Sequence, residues 1–273
     1  MSRAAGKLAG LKLPKSMMQA VIKRFIKKFN IDVSEIALPL SEFDTLQSFF
    51  IRKLKDGVRP IDESTDAIVS PCDGAYGQNG VVEQGLLLQV KGKSFRLADL
   101  LCDEKWSKSL EGGSYAVLYL SPRDYHRFHS PCDMVVDEAV HVPGRLWPVN
   151  QWAVSNVEEV FCANERIVMK CMQELKGTGQ NPVPFAIVAV GATMVGKVKL
   201  AFDEKLSTNE KGSTFRRQSY AAFQATLAKG QELGRFEFGS TLVVVLPKEM
   251  GSLERKESGT PIRMGQRIGT RRI

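Results

Sequence analysis

The chain has 273 residues, of which 43% are hydrophobic and 25% charged, a composition that excludes an intrinsically disordered protein and allows one sizeable core. Its five cysteines are an odd number without dense regular spacing, which argues against a disulfide framework and favours a reducing compartment. The formal net charge of +8 predicts an acidic partner, for which nucleic acid, anionic lipid and acidic protein all qualify.

The first 31 residues contain no acidic residue, and positions 15–29 alternate apolar and basic side chains with a helical period. One face of this helix would be apolar and the other basic. The apolar positions are Met18, Val21, Ile22, Phe25, Ile26 and Phe29, and the basic positions are Lys23, Arg24, Lys27 and Lys28. Such a helix either lies on an anionic membrane surface or packs on its own domain with a solvated lysine face.

No segment predicts a membrane-spanning helix. The uncharged stretch 182–196 contains two prolines and two glycines, and it is shorter than the roughly 18–20 apolar residues that are required. No apolar segment with a small-residue cleavage site follows Met1, which disfavours secretion. We therefore expect a peripheral protein on the cytoplasmic side of the cell membrane.

The rest of the chain predicts short helices and many strands. The capping pattern that begins at Ser41 predicts a helix over 41–54, and a second short helix is predicted over 96–102. Short β-rich runs predict strands at 86–90, 115–120, 135–142, 166–172, 185–190, 193–200 and 242–246. The predicted fold class is α+β, with a mainly antiparallel β core and N-terminal amphipathic helices. We expect the basic tail, 265–273, to be mobile or in contact with lipid, and find no internal repeat beyond Ser-Pro-Cys-Asp at 70–73 and 130–133.

Gly239 and Ser240 stand just before the apolar run 242–246, which fits a strand buried on both faces. Glycine leaves its carbonyl open to attack, and the next serine hydroxyl can attack it in an N-to-O acyl shift. β-Elimination of the resulting ester and hydrolysis would leave a pyruvoyl group. The tripeptide Gly-Ser-Thr recurs in a polar stretch at 212–214, so by itself it also fits an ordinary turn.

The chain has three histidines, so the choice of a base for Ser240 is narrow. His126 and His129 lie close together in sequence, and Asp73, in a Ser-Pro-Cys-Asp turn, could orient one of them. His141 alternates with apolar neighbours and is more typical of a strand than of a catalyst. The spacing alone leaves open that the first two histidines are ordinary loop residues.

Five strings resemble, in order, the phosphatidylserine decarboxylase family over about residues 45–247. They are Ser-Pro-x-Asp-Gly at 70–74, Tyr-x-Ser-Pro-Arg-Asp-Tyr-His-Arg-x-His at 119–129, Asn-Glu-Arg at 164–166, Val-Gly-Ala-Thr-Met-Val-Gly at 190–196 and the segment 230–241, which ends in Gly-Ser-Thr. Phe-Phe-Ile-Arg-Lys-Leu-Lys at 49–55 fits as well, whereas Phe238 stands where the family often has leucine.

The resemblance implies a role for each candidate residue. Ser240 matches the nucleophile of self-cleavage, His129 its general base, and Asp73 the residue that orients His129. The bond between Gly239 and Ser240 matches the cleavage site. His126 matches the histidine assigned to substrate binding and decarboxylation.

The implied cofactor is a covalent pyruvoyl group derived from Ser240. The amine of phosphatidylserine in an anionic membrane would form a Schiff base with it, carbon dioxide would leave, and phosphatidylethanolamine would be released. The β chain, 1–239, and the α chain, 240–273, would form a heterodimer, with further homo-oligomers possible. The implied domains are a basic amphipathic helical membrane-associating region, 1–58, and a pyruvoyl-dependent decarboxylase domain, 59–273.

Two other function classes stay open from the residues alone. A basic nucleic-acid-binding β domain fits the charge, but the positive residues cluster at the termini. A hydrolase with an intact Ser240 fits a Ser-His-Asp set, but it lacks the Gly-x-Ser-x-Gly elbow. His126, His129, Cys132 and Cys72 are zinc-binding types without a common ligand spacing, so we predict no metal site. With the resemblance, we also predict no nucleic-acid partner.

Overall fold

The computed structural model describes residues 9–88, 94–149, 156–174, 181–193, 197–210, 212, 214–237 and 240–272. Within these residues the fold is α+β, with a mainly antiparallel β core and a helical N-terminal region, as predicted. The helices are α1 (Lys15–Phe29), α2 (Leu46–Phe50), α3 (Leu97–Leu101), α4 (Glu104–Ser109), α5 (Val160–Ala163) and α6 (Ala222–Ala225), with a 3₁₀ turn at Leu40–Glu42.

The strands of the described residues are short and follow one another through most of the chain. They are β1 (Ala67–Val69), β2 (Gly74–Val81), β3 (Leu86–Leu88), β4 (Ser94–Arg96), β5 (Ser114–Leu120), β6 (Arg127–His129), β7 (Met134–Val142), β8 (Arg166–Gln173), β9 (Val183–Gly191), β10 (Val198–Leu200), β11 (Arg216–Ser219), β12 (Thr226–Leu227), β13 (Glu232–Phe236), β14 (Ser240–Leu246), β15 (Gly251–Leu253), β16 (Pro261–Ile262) and β17 (Arg267–Arg271).

Nine of these strands form one antiparallel sheet in the order β11-β7-β8-β9-β14-β5-β2-β16, with β12 also paired to β7. Two three-stranded sheets, β1-β17-β15 and β10-β13-β6, contribute side chains to the hydrophobic cluster on one face of the large sheet. A second hydrophobic cluster, which includes residues of α3 and α5, covers the other face. The large sheet is therefore the middle layer of the molecule.

Strand β14 lies between β5 and β9 and pairs with both, starting with Ser240 opposite Leu120 and Gly191. Its residues 242–246 are 0% exposed, which confirms the prediction of a strand buried on both faces. Alternate side chains enter the two clusters, Leu242, Val244 and Leu246 on one side and Val243 and Val245 on the other. β-Branched and leucine side chains favour this doubly covered, extended conformation.

Most predicted strands are confirmed with bounds shifted by at most two residues, including β5, β7, β8 and β9. The strand predicted at 193–200 is shorter, because β10 begins only at Val198. The last two residues of the strand predicted at 86–90 lie outside the described residues.

The N-terminal helix is confirmed as α1. It ends at Asn30, which adopts the left-handed conformation (φ 51°) and donates its backbone N–H to the carbonyl of Ile26, a common helix C-cap. Met18 and Ile22 are buried against the segment that follows, in a cluster with Ile31, Ile36, Phe43 and Phe49. Much of the apolar face thus packs on the protein itself.

The predicted helix over 41–54 is wrong in both bounds. Its first residues form the 3₁₀ turn, and α2 begins only after Thr45, whose hydroxyl accepts the backbone N–H of Ser48 at 2.9 Å. This capping box begins a new helix after the 3₁₀ turn, and that helix ends at Ile51. The alternative cap at Thr45 was not recognised in the sequence.

The two Ser-Pro-Cys-Asp turns lie side by side as a longer structural repeat. His129 N–H donates to the carbonyl of Pro71, and Val69 N–H donates to that of Pro131. Asp73 accepts the backbone N–H of Met264, and Asp133 accepts that of Lys229, each at 2.8 Å. The partner segments also match, as Gly-Gln-x-Leu-Gly at 230–234 and Gly-Gln-x-Ile-Gly at 265–269. The prediction of no repeat beyond four residues is therefore wrong.

The C-terminal tail forms a strand, which corrects the expectation of a mobile segment. Strand β17 pairs with both β1 and β15. Arg267 forms ion pairs with Asp62 at 3.2 Å and Asp66 at 2.7 Å. The positive charge of Arg267 is therefore paired with carboxylates of the protein itself.

Candidate active site

The start of β14 lies beside the loop that carries His126. Ser240 pairs with Leu120, the last residue of β5, and the loop 121–126 follows directly. On the other side of the junction, Phe236 ends β13 and donates its backbone N–H to the carbonyl of His126 at 2.9 Å. Gly239 and Phe238 lie outside the described residues. The backbone thus brings the loop that carries His126 to the junction from a distant part of the sequence.

His126 is fully buried and uncharged. Its ring packs against that of Phe50, with centroids 3.9 Å apart and planes tilted by 44°, and its Nδ1 bonds to the carbonyl of Asp124 at 2.9 Å. Because a carbonyl only accepts, Nδ1 carries the proton. Burial lowers the pKa of His126 to about 3, so the ring is neutral near pH 7. Its Nε2 has no hydrogen-bond partner among the described residues and offers a free lone pair.

His129 is held through both ring nitrogens. Nδ1 donates to the carbonyl of Gly230 at 2.8 Å, and Nε2 accepts from the Tyr125 hydroxyl at 3.1 Å. Burial lowers the pKa of His129 as well, partly offset by the bond to Gly230. A neutral ring with Nδ1–H bonded leaves Nε2 as the basic atom, which suits a general base.

Asp73 bonds to an arginine rather than to His129. Arg59 donates through Nε at 2.9 Å and through Nη2 at 2.6 Å to the Asp73 carboxylate. The same Nη2 reaches Glu35 at 2.7 Å, and that bond lowers the pKa of Glu35. Among the described contacts, the link from the Asp73 turn to His129 is the backbone bond to the Pro71 carbonyl.

The segment after α2 is hydrogen-bonded to residues 121–126 and to Arg127; we call residues 121–126 the histidine loop. Arg52 Nη2 donates to the carbonyls of Arg123 at 2.8 Å and Asp124 at 3.1 Å. In return, Arg127 Nε donates to the carbonyl of Ile51 at 3.0 Å. Arg52 and Tyr125 lie in strings that resemble the family but were assigned no role, and Arg59 was not singled out from the sequence. Single-sequence spacing gave no sign that segments more than 60 residues apart would meet.

His141 lies within β7, as predicted, and has no contact with the histidine loop among the described residues. Its Nε2 bonds to Glu165 at 2.7 Å, and its Nδ1 bonds to the carbonyl of Thr214 at 3.0 Å. Asn164, next to Glu165, donates to the carbonyl of Gly191 at 2.8 Å, the residue opposite Ser240. These residues of the Asn-Glu-Arg string therefore support the strands around the junction.

The cysteines next to the histidine loop are buried thiols. Burial raises the pKa of Cys132 to about 12 and raises the pKa of Cys72 well above its usual value, so both are protonated near pH 7. Within the described part of the chain, no three His, Cys, Asp or Glu side chains are grouped as metal ligands.

Comparison with known proteins places the whole chain in one family. The family model described as phosphatidylserine decarboxylase matches residues 46–270. The phosphatidylserine decarboxylase proenzyme of Brevibacillus brevis is 38% identical over all of this chain and 94% of the relative. The proenzymes of Myxococcus xanthus and Hahella chejuensis are 36% and 38% identical over 98% of this chain, and over 93% and 88% of their own lengths. The chain therefore belongs to the phosphatidylserine decarboxylase family.

Proposed function

We propose that the protein is a proenzyme that cuts itself between Gly239 and Ser240 and then decarboxylates phosphatidylserine to phosphatidylethanolamine. The observation that carries the proposal is the position of Ser240 at the start of the central strand, paired with the residue that precedes the histidine loop. Family membership favours this reaction over nucleic-acid binding and over a hydrolase with an intact Ser240.

In the self-cleavage step, His129 takes the proton of Ser240 through Nε2, for which the Tyr125 hydroxyl must first give way. Asp73 supports His129 through the turn that binds the His129 backbone, and adds negative charge near the imidazolium that forms. Arg59 holds the carboxylate of Asp73 in place. These roles are in keeping with the charge-relay set implied by the resemblance, although Asp73 acts here without a direct bond to the ring.

Both chains stay together after the cut, as an α/β heterodimer. Strand β14 is in the α chain, whereas its neighbours β5 and β9 are in the β chain. The five residues at 242–246 are fully buried, and burial of each such side chain contributes roughly 1.5–3 kcal/mol. The new N-terminus therefore keeps its place between Leu120 and Gly191.

The residues around the start of β14 fit a pyruvoyl group at position 240, because the loop that follows Leu120 carries the buried His126 with an unpartnered Nε2. That group supplies a ketone that accepts the amine of the substrate and withdraws electrons from the bond to its carboxylate. His126 is neutral and its Nε2 is an acceptor, so it can take the proton that the substrate amine gives up and return one to the substrate carbon. Phe50 packs against its ring, and the full burial of both side chains excludes water.

The membrane-associating region, 1–58, precedes the decarboxylase domain, 59–273, and brings the enzyme to its lipid substrate at the cytoplasmic side of the cell membrane. No helix within the described residues combines the length and apolar character that a membrane crossing requires. Met17 and Val21, one helical turn apart on α1, are 55% and 38% exposed, and Leu13, just before the helix, is 37% exposed. This exposed stripe, flanked by lysines, is the surface that we assign to lipid contact.

The test is a Ser240→Ala variant, with Ser213→Ala in the second Gly-Ser-Thr as the matched control. Intact mass should show wild type and Ser213→Ala as two chains and Ser240→Ala as one unbroken chain. Release of carbon dioxide from phosphatidylserine should be lost only in Ser240→Ala. An uncut Ser240→Ala protein that still decarboxylates the lipid would contradict the proposal.

A further inference from the structure

Arg52 is a buried arginine with unused donors. It is 4% exposed, and its Nη2 is bonded to two loop carbonyls, whereas its Nε and Nη1 have no hydrogen-bond partner among the described residues. Its guanidinium lies 5.3 Å from the centroid of the Phe49 ring. A buried guanidinium without an anion is costly, because its charge and its N–H groups have both lost water.

The carboxylates nearby are engaged by other groups. Asp73 and Glu35 are bonded to Arg59, and Glu35 also pairs with Arg263 at 3.3 Å. Asp124 accepts from the backbone and hydroxyl of Ser121, each at 2.7 Å.

Asp32 accepts from the backbone and hydroxyl of Ser34, at 2.9 and 2.6 Å. No described carboxylate lies within ion-pair distance of Arg52, so the charge of Arg52 is left for a ligand.

Arg52 lines a polar cavity of about 270 Å³ between the N-terminal region and the candidate active site. The walls include Asn30, which ends α1, and Asp73 and Tyr125 from the candidate active site. The volume is near the lower end for ligand pockets, roughly 300 Å³, which suits a charged head group better than a single water. The cavity therefore lies between residues 30–54 of the N-terminal region and Asp73 of the candidate active site.

Arg52 and His126 belong to one cluster. The carbonyl of Asp124 accepts from Arg52 Nη2 at 3.1 Å and from His126 Nδ1 at 2.9 Å. Each of the two side chains keeps buried, unpartnered nitrogen atoms, Nε and Nη1 in one and Nε2 in the other. A substrate held at both would have one charged group at Arg52 and its reacting centre near His126.

We propose that Arg52 binds the phosphodiester group of the phosphatidylserine head group and so fixes the serine moiety beside His126. The inference rests on the proposed decarboxylation. The free Nε–H and Nη1–H of Arg52 are charge-assisted donors that a phosphate oxygen can accept. The carboxylate of the substrate is the poorer candidate, because an ion pair to the group that leaves would stabilise the ground state and oppose its loss.

The experiment compares wild type with Arg52→Gln, using a short-chain phosphatidylserine below its micelle concentration, so that membrane binding does not enter. Arg96→Gln, an exposed arginine outside the cavity, controls for the change in net charge. We expect Arg52→Gln to mature to two chains, since no substrate takes part in self-cleavage. Its KM should rise by about tenfold or more, the effect of one lost charge-assisted hydrogen bond, while kcat changes little.

Inorganic phosphate provides a second measurement. It should compete with the substrate in wild type and in Arg96→Gln, and it should lose this effect in Arg52→Gln. Inhibition that is not competitive would mean that the site takes free phosphate rather than the phosphate of the substrate, and would overturn the proposal.

An unchanged KM in Arg52→Gln, or a loss of self-cleavage together with turnover, would show that Arg52 only positions the histidine loop. If Arg52→Gln is insoluble, Arg52→Lys keeps the charge but lacks the Nε and Nη1 donors and should still raise KM; a wild-type KM would then overturn the inference. Failure of the proposed function itself is distinct, because the unsubstituted protein would then neither cut itself nor release carbon dioxide.

Discussion

The ion pair between Asp73 and Arg59 can be tested against an internal reference. Asp73 and Asp133 occupy equivalent turns and each accepts one backbone N–H at 2.8 Å, but only Asp73 has an arginine partner among the described residues. An asparagine keeps an oxygen for the backbone bond at either position. Replacement of each aspartate by asparagine therefore isolates the contribution of the charge at Asp73.

The burial of the ion pair sets the expected loss in the free energy of unfolding. The side chains of Arg59 and Asp73 are 7% and 8% exposed, and removal of one partner of a buried pair costs about 3–5 kcal/mol. Glu35 still bonds Arg59 in the Asp73→Asn variant, so we expect this variant to lose about 3 kcal/mol in the free energy of unfolding, the lower end of that range. For Asp133→Asn we expect at most about 1 kcal/mol, the contribution of one hydrogen bond.

The assay is urea unfolding at pH 7 in the Ser240→Ala background, where a single uncut chain unfolds. The double variant Arg59→Gln/Asp73→Asn should lose about 1–3 kcal/mol less than the sum of the single variants, because both remove the same pair. Equal effects of Asp73→Asn and Asp133→Asn, or strict additivity with Arg59→Gln, would refute the assignment of a coupled buried pair.

Two further predictions concern pH and the membrane. Because burial lowers the pKa of His126 to about 3, the unfolded chain binds a proton that the folded chain does not, and the free energy of unfolding should fall as the pH drops below about 6.5. The slope approaches about 1.4 kcal/mol per pH unit from this residue, and a slope unchanged in His126→Gln, measured by urea unfolding, would contradict it. At the N-terminus, Met17 is 55% exposed and Met18 is 3% exposed. Met17→Glu should weaken binding to anionic vesicles in co-sedimentation, whereas Met18→Ala should keep it and lower the free energy of unfolding by about 2–5 kcal/mol, and a reversed pattern would exclude the proposed lipid-contact stripe.

The N-terminal helix shows how far periodicity leads. The apolar and basic pattern predicted α1 with the correct bounds, because a helix places every third or fourth residue on one face. The pattern could not say what covers that face. Met18 and Ile22 pack on the protein itself, whereas Met17 and Val21 are exposed, since the position of the 31–49 segment selects which part of the face is buried.

In the candidate active site, too, some residues were predicted from the sequence and others were found only in the structure. The collinear strings pointed to Asp73, His126, His129 and Ser240, and the apolar run after Ser240 predicted a buried central strand, which the fold confirms. Arg59 was not assigned a role, because its partners Glu35 and Asp73 lie 24 and 14 residues away, and Tyr125 was missed although its partner His129 is only four residues away. The direct bond expected between Asp73 and His129 is absent from the described contacts, where Arg59 and Gly230 are the partners instead.

Local chemistry and periodicity are properties of neighbouring residues, so the sequence alone determined the α+β class, most strand positions and the reactive Gly-Ser junction. Contacts between distant segments depend on chain topology, which a single sequence does not encode in any local pattern. Only the tertiary structure therefore decided that Arg52 meets the histidine loop, that the two Ser-Pro-Cys-Asp turns pair with each other, and that the basic tail is an internal strand.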